Sequence, residues 1–206
     1  FLVKYNSSGV EQWSLREGGS DGSEEATGVA VDAANNIYIV ANFYSTSITI
    51  GGNTINNVDY PSNLYTDALI VKYDPTGVYQ WAKRQGGTVS GNQLGTDICI
   101  NPGTSTVFIC GTYSSSTFYF GNFLYNHTIT NQGGNDGFVA KFDTADGSFK
   151  GSVDIGTTDA EYVNSIACDA GNSIYVTGSF GSVGLSFAGS TLNPSGSFGS
   201  NFFLLQ

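Results

Sequence analysis

The sequence predicts an all-β protein built from one four-stranded antiparallel unit used about three times. Three observations carry that prediction. A strand running into a turn recurs as "FLVKYNSSG" from Phe1, "ALIVKYDPTG" from Ala68 and "FVAKFDTADG" from Phe138, which places Lys4, Lys72 and Lys141 at intervals of 68 and 69 residues. A second set of marks, Asp32, Asn101 and Asp169, ends the phrases "GVAVD", "DICIN" and "SIACD" and keeps the same period, at 69 and 68. Between the marks, apolar and small or polar residues alternate with period two, β-branched and aromatic residues dominate, and no window shows a helical period.

Taken in order, each unit opens with strand A ("GVAVD"), whose terminal Asp or Asn starts a polar turn ("AANN", "PGTST", "AGNS"). Such residues turn the chain by bonding their side chains to the backbone just ahead. Strand B follows as "IYIVANF", "VFICGTY" or "IYVTGSF". The link from B to C is longer and holds an apolar–polar segment ("SITIGGNTI", "TFYFGNFLYNHTI", "LSFAGSTL"), expected to form a small hairpin at the edge of the unit. Strand C carries the lysine. Strand D reads "VEQWSLREGG", "VYQWAKRQGG" and, degenerate and without tryptophan, "SFKGSVDIGT". A–B and C–D are hairpins with short turns. In the closing "NFFLLQ", Asn201 aligns with Asp67 and Asp136, so Gln206 takes the lysine position.

The repeats run approximately 1–68, 69–137 and 138–206 within a single domain, 1–206. Four antiparallel strands at a fixed period predict a β-propeller-like array of blades, whose radial repetition leaves only short protected edges. The chain supplies C and D, two whole A-to-D units, then A, B and C. Three blades fall below the usual four to eight, so the sequence reads as an arc of a larger propeller. It starts and stops inside strands and is expected to be a processed chain or a segment of a longer one.

Bulk composition fits that reading and excludes others. With 28 Gly, 4 Pro, 12% charged and 40% hydrophobic residues, the chain suits an ordered, turn-rich β protein rather than a disordered one. A net charge of −10 argues against nucleic acid and against docking on anionic lipid, both of which need Lys and Arg. No apolar run approaches the length of a membrane span.

The phrase "SIACDAGNSIYVTGSF" (Ser165 to Phe180), followed in the repeats by "SFAGSTL", "DGFVAKFD" and "QWAKRQGG", resembles the bacterial β-propeller repeats known as SBBP repeats. The resemblance covers essentially the whole chain. It implies a propeller-like fold and a secreted or cell-surface location, as in large proteins of Bacteroidota, some of them exported by the type IX secretion system. This chain departs from the pattern in its long B–C segments and in the degraded strand D of the third repeat.

Residues able to carry chemistry are few. His127, in "FLYNHTI", is the sole histidine, so neither a His-rich zinc site nor a ready-made triad is present. The hairpin register sets Cys99 opposite Phe108 and Cys110 opposite Asp97 on the other face, which disfavours a disulfide between them; Cys168 takes a core position, and all three are expected to be free buried thiols. "DTADG" (Asp143 to Gly147) imitates the start of a calcium loop, but its equivalents "DPTG" and "NSSG" are ordinary turns, and a turn is expected. Trp13 and Trp81, at equivalent positions of strand D, are expected to pack between blades rather than to stack on sugars. Asn6-Ser7-Ser8, Asn126-His127-Thr128 and Asp143-Thr144-Ala145 match short glycosylation patterns that such a composition produces by chance.

The insert of the second full unit stands out. Phe118, Tyr119, Phe120, Phe123, Leu124 and Tyr125 make both faces of a short hairpin apolar, which is the expected binding surface, since variable loops on a rigid scaffold carry function. The chain is therefore expected to be a non-enzymatic, secreted or surface-displayed module for adhesion, binding or structural display. Its expected partner is a protein or glycan at the cell surface, or export machinery, with no cofactor. Two alternatives remain: a passenger or cargo fragment of a type IX-like system, and a glycan-active hydrolase using carboxylates such as Asp97, Asp159 and Glu161 at suitable separation.

Overall fold

The computed structural model describes residues 1–19, 21–57, 65–87, 91–120, 127–181, 183–187, 190–195 and 201–205. An opening ribbon pairs β1 (Leu2–Tyr5) with β2 (Glu11–Leu15). Sheet I is formed by β3 (Glu24–Val31), β4 (Ile37–Phe43), β7 (Asp67–Tyr73) and β8 (Tyr79–Gly87), with the hairpin β5 (Ser47–Ile50) and β6 (Asn53–Asn56) inserted between β4 and β7. Sheet II repeats the plan with β9 (Gln93–Asn101), β10 (Thr106–Tyr113), β13 (Asp136–Asp143) and β14 (Phe149–Ile155), its insert being β11 (Thr117–Tyr119) and β12 (Thr128–Thr130). Sheet III has β15 (Tyr162–Cys168), β16 (Ile174–Phe180) and β19 (Asn201–Leu205), with β17 (Leu185–Phe187) and β18 (Ser190–Leu192) as its insert. Among the described residues the strands of each sheet pair antiparallel in meander order, as the A-to-D reading expects, and the degenerate "SFKGSVDIGT" still forms β14.

The cores lie between successive sheets. One joins the ribbon to sheet I (Leu2, Trp13, Ile39, Leu69), the next joins sheets I and II (Tyr38, Ile70, Trp81, Ile98, Phe138), and the third joins sheets II and III (Cys110, Val139, Ile166, Phe203). Strands β4 and β7 are therefore apolar on both faces, while β2 and β3 alternate. The turn marks do what their chemistry suggests. Asp32 Oδ1 accepts the amides of Ala34 and Asn36, and its Oδ2 accepts the Tyr38 hydroxyl; Asp169 does the same for Gly171, Ser173 and Tyr175.

Polar links between sheets repeat with the period. Lys4 Nζ donates to the Pro75 carbonyl at 2.8 Å and Lys72 Nζ to that of Thr144 at 2.7 Å. Thr27 Oγ1 donates to Gly95 O and Thr96 Oγ1 to Val163 O. A Cβ on Gly77 or Gly147, both at positive φ, would stand 3.3 Å from the Trp13 ring or 2.8 Å from that of Trp81, so each turn glycine nests on the tryptophan of the preceding unit. Trp81 is buried and Trp13 half-buried, and both pack between units.

The cysteines correct the expectation of three free thiols. Cys99 is disulfide-bonded to Cys168, with 5.9 Å between Cα atoms. The register of Cys99 against Phe108 and Cys110 against Asp97 is as read, but both cysteines point into the same core, because residues 97 and 99 of one strand alternate back to one face. Cys99 points from sheet II toward sheet III and Cys168 points back. They take the positions that Ala30 and Ile100 occupy one interface earlier, where both pack against the core between sheets I and II. Cys110 remains a buried free thiol, its pKa pushed up to about 12 by burial.

Candidate functional site

The insert hairpin of sheet II does form, but it docks on the sheet before it. Strand β11 pairs with β8 of sheet I, setting Phe118 against Gly87 and Tyr119 against Gly86, so sheet I becomes six-stranded. The first insert behaves alike: Thr49 bridges to Gly18, just beyond the ribbon. The glycine pairs closing the first two D strands ("REGG", "RQGG") receive these hairpins, and their recurrence is the signal in the sequence that could have located the contact.

This placement decides the fate of the insert aromatics. Phe118 and Phe120 are fully buried, not exposed as the sequence suggests. Phe118 lies 4.4 Å from Phe120 and 4.9 Å from Phe138 between ring centroids, and Phe120 stacks on Phe149 at 5.3 Å. They are a wedge between sheets I and II. Tyr119, on the opposite face, is half-buried; Phe123, Leu124 and Tyr125 lie outside the described residues. Beside the wedge, His127 is exposed, with Nε2 2.8 Å from Ser152 Oγ and its ring 4.9 Å from that of Phe149. With Thr128 and Thr130, both exposed, it forms the polar rim of the hairpin.

Next to the hairpin lies a buried carboxyl network. Asp67 of sheet I pairs with Arg84, 3.5 Å away. At the equivalent positions of sheet II stand Asp136 and Asp154, two acids. Tyr113 OH donates to Asp154 Oδ1 at 2.9 Å, and the Gln132 amide donates to Asp136 Oδ2 at 2.7 Å, while the buried Asp136 Oδ1 has no hydrogen-bond partner. Burial first, then the charges of Asp154 and Glu161, push the Asp136 carboxyl up to about 6. The network sits inside the scaffold, with Asp136 fully buried.

The carboxylates considered for hydrolysis are each held in structural bonds. Asp97 Oδ2 accepts from Ser165 Oγ and the Ile166 amide of sheet III; Asp159 Oδ2 accepts from the Val183 amide; Glu161 is buried and accepts from the Thr157 amide and hydroxyl. In "DTADG", Asp143 Oδ1 accepts the Ala145 amide and the side chain pairs with Lys150 at 3.2 Å. The Ala145 bond and the Lys150 partner hold its pKa below the ordinary value. Among the described residues no group of three or more His, Cys, Asp or Glu is arranged to hold a metal ion, and no helix is long and apolar enough to cross a membrane.

No family model matches the chain. It is similar to an uncharacterized WD repeat-containing protein of Acanthamoeba polyphaga mimivirus, 29% identical over 148 residues, which is 69% of this chain and 10% of that protein. The chain thus spans about a tenth of the length of the curated relative it matches. The similarity points to a β-propeller-like repeat fold, in keeping with stacked antiparallel sheets whose cores lie between neighbours.

Proposed function

We propose that this chain is a non-catalytic binding module of β-propeller type, secreted or displayed at the cell surface, with a protein or glycan partner. One observation carries the reading: the repeated polar residues are spent on the scaffold. Asp32 and Asp169 hold turns, Lys4 and Lys72 link units, and Asp97 and Glu161 hold backbone or hydroxyl groups. What differs between units is the B–C insert, a loop on a rigid frame, which is where recognition usually resides. Similarity to a WD repeat-containing protein supports a β-propeller-like scaffold, and such repeat arrays offer broad surfaces for contact. The inter-sheet disulfide favours an oxidising compartment, and with it the secreted location that the likeness to SBBP repeats implies.

Binding is assigned to the exposed rim of the second insert, around His127, Thr128 and Thr130, with its buried aromatics serving as foundation. The test replaces residues 117–130 by residues 47–56, so that the shorter first insert stands in the second position. Binding to an immobilised glycan panel and to extracellular proteins is then compared by biolayer interferometry. Loss of the bound species with an unchanged fold supports the assignment; undiminished binding by the exchanged protein refutes it.

A further inference from the structure

The carboxyl network of sheet II is a charge-altered copy of an ion pair in sheet I. There the Arg84 guanidinium lies 3.5 Å from Asp67 Oδ2 and donates to the Asn56 carbonyl at 2.9 Å. Asp67 lies over Gly86, where a Cβ would stand 2.5 Å from its Oδ1. Sheet II keeps the aspartate and the glycine, since a Cβ on Gly156 would stand 2.3 Å from Asp136 Oδ2. The register sets Asp154 opposite Phe138, as it sets Arg84 opposite Leu69, so an acid takes the arginine position. Asp136 is two residues before Phe138, the partner of Asp154, and both carboxyls therefore stand on one face of β13 and β14.

Among the described residues neither acid has a Lys or Arg partner. Tyr113, opposite Asp136 on β10, gives its one hydroxyl proton to Asp154 Oδ1 at 2.9 Å. Gln132 serves each acid once, its amide donating to Asp136 Oδ2 at 2.7 Å and its side chain to Asp154 Oδ2 at 3.3 Å. Asp136 Oδ1 is left without a donor, on a side chain that is 0% exposed and beside a second carboxylate whose charge acts on it. A buried carboxylate oxygen of this kind is costly unless a cation or a proton meets it. We propose that a calcium ion meets it, bound between Asp136 and Asp154 where sheet I uses the guanidinium of Arg84.

Every ligand the chain offers there is an oxygen, which suits a hard cation rather than zinc or copper. Diagonal neighbours on paired strands stand about 7 Å apart, so two carboxylate arms can meet on one ion with oxygens at about 2.3–2.6 Å. The Thr130 carbonyl takes the register position of the Asn56 carbonyl that Arg84 bonds, which assigns it as the neutral ligand, with water completing the shell. Magnesium demands near-ideal octahedral geometry and fits a site on paired strands less well. Two charged ligands make the site weak, with a Kd of roughly 0.1–1 mM, as in extracellular calcium modules. The ion ties the trailing strand of the second insert, β12, to its sheet. The inference stands on this network and not on the binding reading; failure of one leaves the other standing.

Thermal midpoints of the whole chain near neutral pH are the test, taken in EDTA and in about 10 mM calcium or magnesium chloride. Calcium is expected to raise the midpoint of the unaltered chain by roughly 3–10 °C over EDTA, and magnesium by less than half as much. Asp136→Asn removes one ligand charge. Y113F/D154R installs in sheet II the set of Phe43, Asp67 and Arg84 that sheet I carries at these positions. Both variants should gain no more from calcium than from magnesium. Equal midpoints in calcium and EDTA for the unaltered chain, an equal response to the two metals, or a full calcium response in either variant would each overturn the proposal. The first of these, with stability rising only toward acid pH, would give Asp136 a proton in place of the ion.

Discussion

The ammonium of Lys72, on the third strand of sheet I, donates to the Thr144 carbonyl in the last turn of sheet II at 2.7 Å, and it lies 5.3 Å from the centroid of the Tyr38 ring. Lys4 repeats both contacts, with Pro75 and Trp13. Lys72→Met keeps most of the apolar stem and removes the donor, so it leaves a turn carbonyl without its charged partner. The expected loss is about 1–2 kcal/mol, read from the midpoint of urea unfolding. No change would mean that water replaces the ammonium without cost.

The Cys99–Cys168 bond closes a loop of 69 residues across an interface. On a chain-entropy estimate, removing it with paired Cys→Ala substitutions costs up to about 4.4 kcal/mol. The same downward shift in urea midpoint is expected for the unaltered protein in reductant. A double variant insensitive to reductant and as stable as the parent would show that the two thiols do not pair in solution.

Phe118 and Phe120 should behave as core, not as contact residues. Either one changed to Ala is expected to cost about 3–5 kcal/mol, the range for a buried phenylalanine. Thermal denaturation followed by near-ultraviolet dichroism reads this directly. Full stability with loss of ligand binding would instead restore the exposed platform that the sequence alone suggests.

Asp136 gives a pH signature. Its carboxyl is raised from 3.8 to about 6 in the folded chain, so the fold holds the proton more tightly than the unfolded chain does. Stability linked to this group is complete below about pH 4 and declines as pH rises through 6, by on the order of 3 kcal/mol. Asp136→Asn removes the charge and keeps an acceptor for the Gln132 amide. The variant is expected to melt higher than the parent at pH 7.5, with the gap closing toward pH 4. A gap that is constant across that range would exclude titration of Asp136 as its source.

Much of the frame is legible in the sequence because each unit obeys the same local rules. Asp32 and Asp169 announce turns by bonding to the amides just ahead, and alternation in "SIACD" shows which residues enter a core, Ile166 and Cys168 facing in and Ala167 out. What escapes is contact between units. The cysteine pairing is invisible within one hairpin. It becomes visible only when equivalent residues are offset by one position, because facing surfaces of neighbouring sheets use opposite sides of the pleat. The insert aromatics mislead for a similar reason: a hairpin apolar on both faces looks exposed until the preceding sheet is placed beneath it.

Because β11 is hydrogen-bonded to β8, the amides of Gly86 and Gly87 lie against residues more than thirty positions later in the chain. Sheet I is thus finished by material translated after it, and it remains one edge short while sheet II is still being made. The units overlap like shingles. A break in one opens the margin of its neighbour, so the smallest piece able to unfold by itself is larger than one repeat.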